Sequence, residues 1–105
     1  MSNRICIEDI ETMRREAGID DVDLRNAVRR IQPGDFVNLT FRAGIGSPET
    51  LVVRVTTVNS AKYEGELAQA PTVNSLLSMR IGSPMSFAAT HIHSMAVGPP
   101  RTSRG

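Results

Sequence analysis

Two histidines lie one residue apart near the end of the chain, in the stretch FAATHIHSM at 87–95. In an extended strand, alternate side chains point to the same face, so His91 and His93 would project together. Two neighbouring imidazoles are able to share a metal ion, which makes this pair a candidate metal site. A usable site needs a third ligand, and the carboxylates of Glu64 and Glu66 are the candidates if folding brings them close.

A structural role is the alternative for the same histidines, and the sequence favours it. The chain holds 2 histidines and 1 cysteine, so a third imidazole does not exist and no thiol lies nearby in sequence. In this interpretation Ile92 packs inward and both histidines lie on a half-exposed strand face. We therefore predict no cofactor and keep metal binding by His91 and His93 as an alternative hypothesis.

The stretch MRREAGIDDVDLRNAVRR, at 13–30, has the pattern of a helix-turn-helix. A glycine lies in the turn, and the second helix would present Arg25, Arg29 and Arg30 outward, as DNA recognition requires. Against this, Arg14 stands where close helix crossing needs a small residue. The start of the second helix, which would approach phosphates, is also acidic. Its carboxylates are Asp20, Asp21 and Asp23. DNA binding is thus a second alternative, and nucleic acid is not the favoured partner.

Nucleophilic catalysis has little support in the sequence. No Gly-x-Ser-x-Gly elbow occurs. Cys6 falls at the predicted start of a helix, with no histidine beside it in sequence to act as a base. Because no group of residues combines a nucleophile, a base and stabilising donors, a non-enzymatic role is favoured.

The bulk composition limits the partners further. The 105 residues carry 12 basic and 11 acidic side chains, a net charge of +1, so no field of one sign draws the whole chain to nucleic acid or membrane. No segment approaches the roughly 18 apolar residues of a membrane-spanning helix. Glu8, Asp9 and Glu11 stand where an export signal needs an apolar run, which predicts a cytoplasmic protein.

Helical periodicity is confined to the first third of the chain. Apolar residues recur every three or four positions over 7–17, and Gly18 is placed to end this first helix. Asp20 or Asp21 is placed to cap a second helix, which Pro33 stops. The two helices would form the N-terminal part of the fold.

After the helices the apolar period becomes alternating, which is typical of strands. The clearest patterns are DFVNLTF at 35–41 and TLVVRVTTV at 50–58, followed by a turn and KYEGEL at 62–67. Gly65 permits a bulge or a close strand approach. A last strand is expected over 85–95.

Two connecting segments carry weaker signals. Residues 71–82 permit one helical turn or two, bounded by a proline and a glycine. In the loop between the first two strands, Gly44 and Gly46 are expected at positive backbone angles.

These elements predict an α+β domain with two N-terminal helices followed by a small, strongly curled antiparallel β-sheet or barrel-like body of four to five strands. A curled sheet hides its edges better than an open one. We expect a single domain over residues 1–97, divided into a helical segment at 1–32 and a β-rich body at 33–97. The Pro- and Gly-bearing end at 98–105 predicts a disordered tail.

The order PGDFVNLTF, LVVRVTTVNSAKYEGELAQAP and RIGSPMSFAATHIHSM, within residues 33–95, resembles an uncharacterised bacterial domain family that includes the YegJ-like small proteins. The features shared with that family are Gly34-Asp35, the valines from Val53 to Val58, Gly65-Glu66-Leu67, Gly82, and Phe87 to Ile92. The chain departs from the family in two respects: it contains no tryptophan, and its second glycine turn has no aspartate. The N-terminal helices lie outside the similarity. The resemblance implies a compact β-rich domain and brings no catalytic residue with it.

The function that the sequence favours is a non-enzymatic scaffold or protein-interaction domain. The expected partner is an unidentified protein or a second copy of the chain. The best candidate contact surface is the N-terminal helical segment, 1–32, whose apolar stripe a partner or a second copy would bury.

Overall fold

The structure is a computed structural model that describes residues 4–60 and 62–96. In this part of the chain, two short helices and six strands occur. In chain order they are β1 (Ile5–Ile7), α1 (Ile10–Glu16), α2 (Val22–Val28), β2 (Phe36–Ala43), β3 (Glu49–Asn59), β4 (Lys62–Leu67), β5 (Pro84–Ala88) and β6 (Ile92–Ala96). Single 3₁₀ turns lie at Asn74–Leu76 and Ala89–His91. The predicted tail at 98–105 lies outside the described residues.

The strands form one antiparallel sheet in the order β1-β2-β3-β4-β5, and β6 pairs with β2 as well. On one side β2 pairs with β3. On its other side, the first part of β2 pairs with β6 and its last part with β1. Since β5 continues through the 3₁₀ turn Ala89–His91 into β6, the sheet curls until it is nearly closed. The predicted fold class, α+β with a barrel-like body behind two N-terminal helices, is confirmed.

Alternating side chains of the central strands fill the inside of this curled sheet, as the strand period requires. Val37 and Leu39 of β2, and Val53 and Val55 of β3, are completely buried. The end of the second helix closes the core, because Val28 joins the same apolar cluster. The predicted strands at 35–41, 50–58 and 62–67 are confirmed within two residues at each end.

Gly65 lies at the tightest approach between strands. The pairing of β3 with β4 runs from Val55↔Gly65 to Thr57↔Glu64, so β3 contains one extra residue and forms a bulge. A Cβ at Gly65 would lie 2.7 Å from the carbonyl oxygen of Arg54. The predicted bulge or close strand approach is confirmed.

The N-terminal segment differs from the prediction at its start. The first helix begins at Ile10 rather than Ile7, because Ile7 belongs to β1. The extended backbone gains partners on β2: the N–H of Glu8 donates to the carbonyl of Thr40 at 2.8 Å. Arg42 donates through Nε to the carboxylate of Glu8 at 2.9 Å and holds the strand in place. These contacts with β2 stabilise a strand at Ile7, although the spacing of the apolar residues there is that of a helix.

Because a strand precedes the first helix, Cys6 lies in a different element from the one predicted. Cys6 lies on β1, opposite Arg42, and is exposed. It is therefore not at a helix N-terminus, where its thiol would be activated.

The two helices are connected as their capping residues dictate. Gly18 adopts the left-handed conformation, with φ of 79°, which confirms the predicted end of α1. Asp21 caps α2, and its carboxylate accepts a hydrogen bond from the N–H of Leu24 at 2.9 Å. The helices therefore form a hairpin that packs on the 3₁₀ turn Ala89–His91 and on β6.

The segment between β4 and β5 contains a single 3₁₀ turn, Asn74–Leu76, where the sequence permitted one helical turn or two. Of the two loop glycines, Gly44 has a positive φ of 56°, as predicted, and Gly46 does not. Gly46 instead lies at a close approach, since a Cβ there would lie 2.6 Å from the hydroxyl of Ser75. Among the described residues, no helix is long and apolar enough to cross a membrane.

Candidate functional site

The structure separates the two histidines. The predicted strand over 85–95 is broken into β5, the 3₁₀ turn Ala89–His91 and β6. His91 ends the turn, whereas His93 lies within β6, so the expectation that both share one face of one strand is wrong. The break arises because the chain must turn a corner to bring β6 back to β2 and close the sheet.

His91 covers part of the outer edge of β5. Its Nδ1 accepts a hydrogen bond from the backbone N–H of Ala88 at 2.9 Å. Leu67 exchanges backbone hydrogen bonds with the residues just before β5. Backbone groups along an antiparallel strand point alternately toward one neighbour and toward the other side. The backbone N–H groups of Met85 and Phe87 therefore face β4, and the backbone N–H of Ala88 points outward, away from β4. The imidazole thus satisfies an outward donor, and the neutral ring carries its proton on Nε2.

This contact occupies an outward backbone donor at a sheet edge. Exposed rows of backbone donors invite further strands, and proteins block them with proline or with covering side chains. Pro84, the first residue of β5, has no N–H to offer. With the N–H of Ala88 held by His91, Ser86 is left as the outward donor in the middle of the strand. His91 thus makes a local contact at the edge of the sheet.

His93 occupies a bulge in β6. The pairing with β2 steps from Asn38↔Ser94 directly to Leu39↔Ile92, so His93 is the extra residue. Its Nδ1 lies 3.0 Å from the hydroxyl of Ser94, which also accepts a hydrogen bond from the amide of Asn38 at 2.9 Å. Which of the two groups donates in the contact between His93 and Ser94 depends on the tautomer of the imidazole. This polar link between β2 and β6 was not predicted, since only the strand register brings Asn38 to Ser94.

The candidate ligands do not converge on a metal position. Among the described residues, no three His, Cys, Asp or Glu side chains are grouped closely enough to hold a metal ion. Glu64 and His91 line one shallow recess of about 350 Å³ on the outer face of β3, β4 and β5, and His93 does not line it. Glu66 instead faces Arg54, at 3.6 Å between carboxylate oxygen and guanidinium nitrogen.

The arginines proposed for DNA contact are arranged differently from a recognition surface. Arg25 forms an ion pair with Asp20 at 3.0 Å on the surface of the protein itself. Arg29 and Arg30 are exposed just beyond the end of α2. The helix has 7 residues, and its start carries Asp21 and Asp23. A recognition helix contacts bases through its N-terminal part, which here repels phosphate.

A cleft of about 340 Å³ lies between α1, α2 and the corner where the 3₁₀ turn Ala89–His91 meets β6. We call it the helix groove. Its apolar lining consists of Ile19, Leu24, Val28, Ala89 and Ile92, and its charged lining of Glu11, Arg14, Arg15, Asp20, Asp21 and Arg25. Val28 and Ile92, which are buried, belong to the main core, so the floor of the groove is continuous with the inside of the domain.

Ion pairs tie the charged rim of the helix groove together. Besides the pair of Arg25 with Asp20, the guanidinium of Arg14 lies 3.8 Å from Asp21 and links the two helices. Arg15 pairs with Glu11 one helical turn before it. Each arginine of the rim therefore has a carboxylate partner in the same rim.

Large apolar side chains are exposed around the same helices. Met13, Ile19 and Val22 are 52%, 55% and 49% exposed, respectively. Of these, Ile19 also lines the helix groove. The hairpin geometry presents it there, because Gly18 turns the chain and the N–H of Ile19 donates back to the carbonyl of Arg14 at 2.7 Å. The helical face thus carries both a cleft and projecting apolar groups.

The helix groove lies on the helices that the sequence indicated, but two of its five apolar lining residues were not predicted. Ala89 and Ile92 come from the far end of the chain and meet the helices only because the sheet closes. No sequence signal associates them with the helices.

Comparison of the chain with family models, with curated proteins and with solved structures finds no match. The class of the protein is therefore given by its own fold: an α+β domain with a nearly closed antiparallel sheet and an N-terminal helical hairpin.

Proposed function

We propose that this protein is a non-enzymatic interaction domain that binds another polypeptide through the helix groove. The observation that carries the proposal is the combination of an apolar floor, formed by Leu24, Val28 and Ile92, with a rim of paired charges. Protein interfaces have this organisation, in which an apolar centre excludes water and a polar rim surrounds it.

The chemistry of the lining supports binding rather than turnover. Among the described residues that line the groove, there is no serine, cysteine, histidine, lysine or tyrosine to serve as nucleophile or imidazole base. The carboxylates of Asp20 and Asp21 are engaged with arginines. An apolar anchor side chain from a partner would instead find a dry floor, and such anchors supply most of the binding free energy at interfaces.

The charge pattern favours a polypeptide over a nucleic acid. A surface for phosphates needs a net positive charge, whereas the rim carries three arginines and three carboxylates. A polypeptide with side chains of both signs meets such a rim without net repulsion.

The proposal includes membership of residues 33–95 in the YegJ-like domain family. The positions of the turns support it, since Gly34 precedes β2 and Gly82 precedes β5, where the resemblance implies strands. We also propose a cytoplasmic location, in which the exposed thiol of Cys6 stays reduced.

Photo-crosslinking tests the proposed surface. A benzophenone amino acid replaces Ile19, at the groove, and, in a matched control, Ile45, which is fully exposed on the turn after β2. After irradiation in an extract of the source cells, we expect crosslinked polypeptides from position 19 and not from position 45, identified by mass spectrometry. Absence of crosslinks at position 19, or equal crosslinks at both positions, contradicts the proposal.

A further inference from the structure

We infer that the polypeptide bound in the helix groove is a second copy of this chain, related to the first by a two-fold axis. The inference rests on the proposed function and names its partner. Two independent properties of the groove support it, one of shape and one of charge.

The shape is self-complementary because one face carries both a cleft and a projecting side chain. Ile19 is 55% exposed at the border of the groove, and Leu24 and Val28 form the floor beside it. In a two-fold pair, each surface patch meets the same patch of the other copy, so residue i contacts j and j contacts i. Ile19 of each copy then enters the groove of the other.

The size of the cleft agrees with an aliphatic anchor. Pockets for drug-sized ligands have volumes of about 300 to 1,000 Å³. At about 340 Å³ the helix groove is at the small end of this range, and the described residues that line it include no aromatic side chain to stack on a planar ligand. A branched aliphatic side chain, together with its neighbours, is the occupant that such a floor accommodates.

The charges are also self-complementary. The rim holds Arg14, Arg15 and Arg25 together with three carboxylates, so it has no net charge. A two-fold axis is able to set the arginines of one copy against the carboxylates of the other, and the rim ion pairs can be shared across the interface. A partner with charges of one sign would be attracted by the rim residues of opposite charge and repelled by those of the same charge. A second copy brings a rim that is balanced in the same way.

Sedimentation velocity over a range of protein concentrations tests the inference. Wild-type protein should change from monomer to dimer as its concentration rises. Ile19→Glu places a charge at the apolar centre and should weaken the dimer at least tenfold. Ile45→Glu makes the same chemical change at a side chain that is 103% exposed and does not line the groove, and it should leave the dimer intact. Because Ile19 is more than half exposed, the variant is expected to keep the wild-type circular dichroism spectrum.

Two outcomes contradict the inference. Wild-type protein that sediments as a monomer at all concentrations overturns it, and so does a dimer that Ile19→Glu and Ile45→Glu weaken equally. The crosslinking experiment separates this from failure of the proposed function. A monomer that still crosslinks through position 19 to a different polypeptide retains the proposed function, whereas a monomer without such crosslinks contradicts both.

Discussion

The side chain of Glu49 accepts two hydrogen bonds from Thr72, one from its backbone N–H at 2.8 Å and one from its hydroxyl at 2.6 Å. A third comes from the N–H of Val73 at 3.0 Å. These bonds fasten the segment between β4 and β5 to the first residue of β3. The hydroxyl of Thr72 is the main cause that lowers the pKa of Glu49 below its ordinary value of 4.5, and the two backbone donors act in the same direction.

The first prediction concerns this contact and its pH dependence. Because the pKa of Glu49 is lowered in the folded protein, the contact stabilises the fold above the ordinary pKa and is lost as the pH falls through the lowered one. Glu49→Gln should reduce the free energy of unfolding by about 1 kcal/mol near neutral pH, measured by urea denaturation, and by less in acid. Glu64→Gln, on the exposed face of β4, is the control. An effect of Glu49→Gln that is independent of pH contradicts the account.

The second prediction concerns the edge of β5. Replacing His91 by alanine leaves the outward N–H of Ala88 without its acceptor and should cost about 1 kcal/mol of folding free energy. Hydrogen exchange measured by NMR should show faster exchange at the Ala88 amide. His93→Ala, which removes the neighbouring imidazole from the bulge, should leave that amide unchanged. If the Ala88 amide exchanges at the same rate in wild type and His91→Ala, His91 does not cover the edge.

The third prediction concerns the bulge between β3 and β4. In Gly65→Ala the added methyl group would lie 2.7 Å from the backbone oxygen of Arg54 and from Cγ1 of Val53. Since backbone cannot yield as a flexible side chain does, we expect a loss of roughly 1 to 3 kcal/mol in the free energy of unfolding. Glu64→Ala, at the adjacent exposed position, should change it by about 0.5 kcal/mol or less. Equal stabilities of the two variants would show that the strands do not approach as described.

The fourth prediction addresses the metal hypothesis directly. The Nδ1 atoms of His91 and His93 are engaged with Ala88 and Ser94, and the two rings lie on different elements. We therefore expect zinc to leave the thermal midpoint of unfolding unchanged, and calorimetric titration to show no saturable heat. Saturable binding that is lost in both His91→Ala and His93→Ala would restore the metal site.

The central strands, whose alternating apolar residues pack into the core, were the predictable part of the fold. Val37 and Leu39 alternate with polar residues, and the dense β-branched run around Val53 indicates burial, so β2 and β3 are encoded locally. The glycine at position 65 likewise indicated the close approach between β3 and β4. By contrast, Ile7 fits a helical period and a strand equally well, and pairing with Phe41 on β2 decides between them.

The break at Ala89–His91 could not be predicted from its own residues. No glycine or proline interrupts the alternating pattern there, and the turn results from closing the sheet onto β2. The same closure brings Ile92 to α2 and completes the helix groove. The sequence therefore indicated the helices that line the helix groove, whereas its floor depends on contacts between the two ends of the chain.

Methyl NMR gives the most direct test of the claim that a polypeptide covers the helix groove. In isotope-labelled protein, the methyl resonances of Leu24 and Val28 report on the floor, and those of Val58, at the far end of β3, serve as the control. We expect the floor resonances to shift or broaden when the protein concentration is raised or an extract of the source cells is added. Ile19→Glu should abolish the change, and Val58 should not respond. Floor resonances that stay unchanged under both conditions would contradict the account.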